Sequence, residues 1–121
     1  MSMNVEAVVN LGWDACKVVA DEVTQRNWVS GVTSVIDNIA FGMESKVTSA
    51  IVSIASTYGN TDSALGWCHV DLDDGSSFSI SGYVSAQDGF SYRVQNIRKN
   101  DRYMRELLSA RATIVTLKGW S

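Results

Sequence analysis

A chain of 121 residues, 45% hydrophobic and 19% charged, is long enough to bury roughly two-thirds of its unfolded surface as one domain, 1–121, without disulfides or a metal. It has no proline, which excludes polyproline ligands and X-Pro linkers, and no charge-free apolar run of about 18 residues, which argues against a membrane-spanning helix and a membrane partner. The first twenty residues lack a basic region and carry Glu6 and Asp14, unlike a secretory signal, so the expected location is cytoplasmic.

In chain order, residues 3–26 place Val5, Val8, Val9, Gly12, Cys16, Val19 and Val23 at three- and four-residue spacing, which predicts a helix capped by Ser2 or Asn4. Trp13 lies off that stripe and is read as a second packing surface. Residues 27–30 break the helix, and Ser30 caps a second one over 31–58, with Ile36, Ile39, Met43, Val47, Ala50 or Ile51, Ile54 and Tyr58 along one seam and Val32, Val35, Ala40 and Ala55 along another. Unbroken, such a helix is about 42 Å long, against a domain diameter of about 35 Å. It either breaks near Gly42 or packs its surplus apolar surface on a second subunit. Its many β-branched residues make it dependent on packing. The expected interface of a homo-oligomer, a homodimer in the simplest case, is Trp13, Val32, Val35, Ile39 and Met43.

Residues 67–97 read as a three-stranded antiparallel meander. Cys68, Val70 and Leu72 alternate with Trp67, His69 and Asp71, and Phe78, Ile80, Gly82 and Val84 alternate with serines and Tyr83. A two-residue Asp74-Gly75 turn would set each apolar residue against a serine. A three-residue loop, Asp73-Asp74-Gly75, pairs Val70 with Phe78 and Cys68 with Ile80 instead. The same logic with Gln87-Asp88-Gly89 as the second loop pairs Val84 with Tyr92 and Gly82 with Val94. After the meander, Asn100 or Asp101 caps a short helix to about residue 111, and the β-branched run 113–117 predicts a fourth strand. The fold class is α+β: two N-terminal helices, the meander, a short helix and that strand.

Little in this framework carries chemistry. In the predicted register Ser79 lies opposite His69 and Ser77 opposite Asp71, so a serine, a histidine and an aspartate share the outer sheet face, the one arrangement that would suit a small hydrolase. A flat, serine-lined strand surface offers no oxyanion hole or water-excluding pocket, and the chain is read as no enzyme. Asp71, Asp73, Asp74 and Gly75 match a calcium loop neither in glycine position nor in a closing glutamate, and fit a hydrogen-bonded turn better. Without a His/Cys cluster or a glycine-rich phosphate loop, no metal or other cofactor is expected. Cys16 and Cys68 are read as buried free thiols.

Charge is unevenly placed. Residues 1–92 hold three basic and eleven acidic groups, a net −8, whereas seven basic and two acidic groups from Arg93 to Lys118 give +5. Arg93, Arg98, Lys99, Arg102 and Arg105, with Tyr83 for stacking, are the candidate nucleic-acid contacts. In element order the chain resembles a double-stranded RNA-binding domain, with Lys99, Arg102 and Arg105 standing near that family's basic cluster, although its alanine-rich helix is absent. The overall acidity, with a pI near 4.9, weighs against nucleic acid. The leading expectation is a non-enzymatic assembly, accessory or regulatory protein acting through protein–protein contacts, of the small kind frequent in phage and viral genomes. An RNA- or DNA-binding module is the alternative, and a hydrolase the third reading.

Overall fold

The computed structural model describes residues 4–42, 46–56 and 61–98. Two helices, α1 (Val5–Ala15) and α2 (Glu22–Gly42), precede four strands, β1 (Val47–Ser56), β2 (Ser63–Leu72), β3 (Ser77–Ser85) and β4 (Gly89–Arg98). The strands form one antiparallel sheet in the order β1-β2-β3-β4, and both helices lie on the same face of it. The class is α+β, as expected, but three element assignments change. The predicted C-terminal helix and strand lie outside the described residues.

The first helix stops well before residue 26. Asn4 caps it, accepting the Ala7 N–H at 3.1 Å, and it closes where Lys17 turns into the left-handed region at φ 53°. Neither glycine nor proline marks that stop. Asp21 then accepts the Thr24 N–H at 2.7 Å and so caps α2, which places Ser30 in the middle of a helix. This bond and the Thr24 side chain hold the Asp21 carboxyl below its ordinary range. Val19 and Val23, which continued the sequence stripe, are exposed.

The second helix ends at Gly42, as one of the two expected outcomes had it, but strand rather than helix follows. Val47–Ser56 satisfies helical spacing and two-residue alternation at once, since Ala50, Val52 and Ile54 face the core while Ser49, Ile51 and Ser53 face outward. Its β-branched content decides for the strand. The sheet therefore has four strands before Lys99, not three. The topological likeness to a double-stranded RNA-binding domain fails with it.

The β2–β3 register is as derived, with Val70 opposite Phe78 and Cys68 opposite Ile80. Asp73-Asp74-Gly75 is the loop, with Gly75 at φ 87°. Leu72 and Ser76 close it through an N–H···O bond of 2.8 Å. In the second hairpin the loop is Ala86-Gln87-Asp88, because Gly89, at φ 72°, already pairs with Ser85. Val84 thus meets Phe90 and Gly82 meets Tyr92, a slide of two residues that preserves the faces. The expected core residues Cys68, Val70, Leu72, Phe78, Ile80, Val84 and Val94 are buried, and Phe90 joins them.

Trp28 organises the core. Gly66 and Gly82 are direct cross-strand partners, and the missing side chains leave a trough in the inner face of the sheet. The indole lies in it: a Cβ on Gly66 would stand 3.1 Å from Trp28, and one on Gly82 would stand 3.3 Å from its Nε1. That Nε1–H donates to the Gly82 carbonyl at 3.1 Å. On the next turn of α2 the Phe90 ring sits against Gly31, where a Cβ would lie 2.6 Å from it. Trp13 brings α1 into the same cluster, its ring centroid 5.3 Å from that of Trp28. Gly31→Ala therefore forces the Phe90 ring aside and should cost about 1–3 kcal/mol. Urea unfolding should show a lower midpoint at unchanged slope, with part of the loss recovered by Phe90→Leu in the same chain.

Candidate functional site

With both helices on one face, the other face of the sheet is uncovered by them, and the pairing fixes what it presents. One row across the strands is Ser49, Asp71, Ser77 and Arg98, and the next is Ile51, His69, Ser79 and Gln95. The third is Ser53, Trp67, Ser81 and Arg93, and beyond it lie Leu65, Tyr83 and Ser91. Small serines thus alternate with a few large or charged side chains.

The serine, histidine and aspartate are brought together. The Ser79 hydroxyl and His69 Nδ1 are 3.0 Å apart, and His69 Nε2 stands 3.5 Å from Asp71 Oδ1. The second distance is long for a hydrogen bond, and both side chains are more than two-fifths exposed. Ser79 itself is 6% exposed on a central strand whose backbone is committed to ladders on both sides. The arrangement ties β2 to β3 through a cross-strand pair. Among the described residues it places no nucleophile against a pocket and no converging N–H groups beside it.

The acidic turn is likewise spent on itself. Asp74 accepts the Ser76 N–H at 2.9 Å and the Ser76 hydroxyl at 2.8 Å, and Asp73 accepts the Lys46 N–H at 3.3 Å. Among the described residues no group of His, Cys, Asp and Glu could hold a metal ion, and no helix is long and apolar enough to cross a membrane. Cys68 is buried, which pushes its thiol up to about 12, whereas Cys16 is half-buried with its Sγ 3.3 Å from the Gly12 carbonyl.

Of the candidate nucleic-acid contacts, Tyr83, Arg93 and Arg98 fall on the outer face, and Tyr83 and Arg93 share a shallow depression of ≈ 270 Å³ with Ser81, Ser91 and Tyr92. Lys99, Arg102 and Arg105 lie outside the described residues. Of the expected interface residues, Trp13, Val32, Val35 and Ile39 are all in the core of the single chain, at most 2% exposed, because α1 and α2 turn them onto the sheet and each other. Their side chains are not at the surface. Met43 lies outside the described residues. Among the described residues the exposed large apolar side chains are Leu11, Val19, Val23, Phe41 and Ile51. Sequence reasoning placed Val19, Val23 and Ile51 on buried stripes and passed over Leu11 and Phe41. Comparison with protein-family models, curated proteins and solved structures finds no match to this chain.

Tyr92 stacks on Phe90 with ring centroids 5.9 Å apart, and its buried hydroxyl has no hydrogen-bond partner. Desolvation pushes the phenol from 10.0 up to about 12. Because the folded-state value is raised, the neutral ring's contribution to stability is complete below pH 10.0 and is lost as pH climbs toward about 12. Tyrosinate absorbance should show one ring ionising late, in step with alkaline unfolding. In Tyr92→Phe that late step should be missing and the alkaline loss of stability should be smaller.

Proposed function

We propose that this protein is a non-enzymatic contact module, an assembly, accessory or regulatory protein that works by associating with protein, and first of all with further copies of itself. The observation that carries the reading is that, among the described residues, the helices cover one face of the sheet only and large apolar side chains are left at the surface. Leu11 is 69% exposed, Phe41 87% and Ile51 61%. A two-layer fold of this size gains nothing within the chain from such residues, and they add to the surface available for association. Sedimentation velocity across a concentration series tests the reading. A dimer or larger species is expected, shifting to smaller species on dilution. A clean monomer at high micromolar concentration overturns it.

One arrangement favours a second reading, in which the outer face holds single-stranded nucleic acid. Tyr83 and Arg93 share one depression, and Trp67 lies in the same cross-strand row as Arg93, so an aromatic platform stands beside a cation. On this reading a generic labelled RNA binds at low salt and is released as salt rises. Tyr83→Ala then costs about 1–3 kcal/mol through lost stacking, and Arg93→Ala weakens binding while reducing its salt dependence. Absence of binding by the unaltered chain at low salt removes this reading and leaves the first untouched.

A further inference from the structure

The two outer strands of the sheet are unlike. β4 carries Arg93 and Arg98, the kind of charge that keeps a sheet edge from pairing with another copy. β1, with the sequence VTSAIVSIAS, has ten residues and contains no Asp, Glu, Lys, Arg or Pro. Among the described residues it pairs only with β2, so along its far side every second residue turns its N–H and C=O away from that strand. Ile51, near the middle of the strand, is 61% exposed.

A second feature lies beside this edge. α1 packs over β1, so closely that a Cβ on Gly12 would stand 2.8 Å from Val52. The side of α1 that faces α2 is fixed by contacts: Asn10 and Asp14 accept the Gln25 amide at 2.8 and 2.9 Å, and Trp13 meets Trp28. At about 100° per residue, Val8, Leu11 and Ala15 fall on the flank turned away from α2, above the β1 edge. Val8 is half-buried, Ala15 is exposed and Leu11 is 69% exposed. An apolar helix flank thus stands over an uncharged strand edge.

We infer that this edge is the self-association surface: β1 pairs antiparallel with β1 of a second copy across a two-fold axis, making one continuous sheet, with the Leu11 flanks of the two α1 helices meeting above it. The inference rests on the self-association reading and names its surface. The occupant is a second copy because the surface complements itself. A two-fold through a strand residue pairs i with i on the partner, so sums of partner numbers are even and the helix-covered faces of both sheets fall on the same side. With the axis at Ile51, that side chain lies against its own counterpart, Ser49 lies opposite Ser53, and the strand brings no charge against a like charge. The same operation through β4 would set Arg93 and Arg98 near their own copies.

The test uses the full chain and two variants at exposed positions, Ile51→Lys and Leu11→Glu, with Tyr83→Ala as the variant that leaves the surface intact. Circular dichroism and thermal midpoints close to those of the unaltered chain establish that the variants fold. In sedimentation, each of the first two should weaken self-association by about tenfold or more, while Tyr83→Ala associates as the unaltered chain does. An oligomer that persists undiminished in both variants overturns the β1 edge and leaves the self-association reading standing. Dissociation by Tyr83→Ala alone moves the interface to the outer face and also overturns the edge. A monomeric unaltered chain overturns both readings together.

Discussion

The fit of one indole to two glycines sets the geometry of the molecule. A helix normally packs on a sheet at a distance set by the side chains between them, and a tryptophan would ordinarily prop α2 away from the strands. Here the paired Gly66 and Gly82 remove two side chains from the middle of the inner face, and Trp28 lies in the space with its one polar atom bonded to the strand backbone. The helix can then sit low enough for Val32, Val35, Ile36 and Ile39 to reach the sheet and be sealed from solvent. The same closeness obliges residue 31 to be glycine, since the Phe90 ring occupies the position of its Cβ. Phe90 in turn explains the second hairpin: only with Gly89 paired to Ser85 does Phe90 stand opposite Val84, one row from the Trp28 trough.

What could be read from the sequence follows from which physical patterns are local. The β2–β3 register was legible, because alternation and loop length over-determine it: shifting by one residue turns every apolar side chain of one strand outward. The β3–β4 slide was not, because moving by two residues keeps the faces and only the tertiary demand of Phe90 on Gly31 chooses between them. The sequence of β1 predicts helix as readily as strand, because Val47, Ile51 and Ile54 fit the helical period as well as Ala50, Val52 and Ile54 fit the strand period. Length was the better guide: α2 as observed, at 21 residues, is about 31 Å long, and ten-residue strands are about 33 Å, so the layers match. The end of α1 at Lys17 carries no composition mark at all. It exists because Asp21 starts a new helix whose direction lets Trp28 reach the sheet.

The outer face was legible in part. Pairing of His69 with Ser79 and of Asp71 with Ser77 followed from the register, and the distances bear out the proximity. Which side chains are functional does not follow from proximity, because a cross-strand hydrogen bond and a catalytic pair use the same residue types. The surroundings separate them: a central strand with its backbone committed on both sides has no donors to spare for a developing oxyanion. The interface residues were misplaced for a related reason. Val32, Val35 and Ile39 look surplus only if the helix runs past Gly42, whereas the shorter α2 buries them against β2, β3, β4 and α1.

The distribution of charge over the folded molecule differs from its distribution along the chain. Residues 4–42, which make the helical layer, hold five acidic and two basic groups, a net −3. The outer-face rows hold Asp71 against Arg93 and Arg98, a net +1 with His69 neutral. Acidic and weakly basic faces therefore lie back to back across the sheet, and copies stacked on like faces repel. The two arginines stand on β4, three strand spacings or about 14 Å from β1, beyond the Debye length of about 8 Å at physiological salt. Their field is largely screened at the far edge. The proposed β1 contact would thus bring together an uncharged strand and apolar side chains already exposed, so burial of apolar surface would drive it.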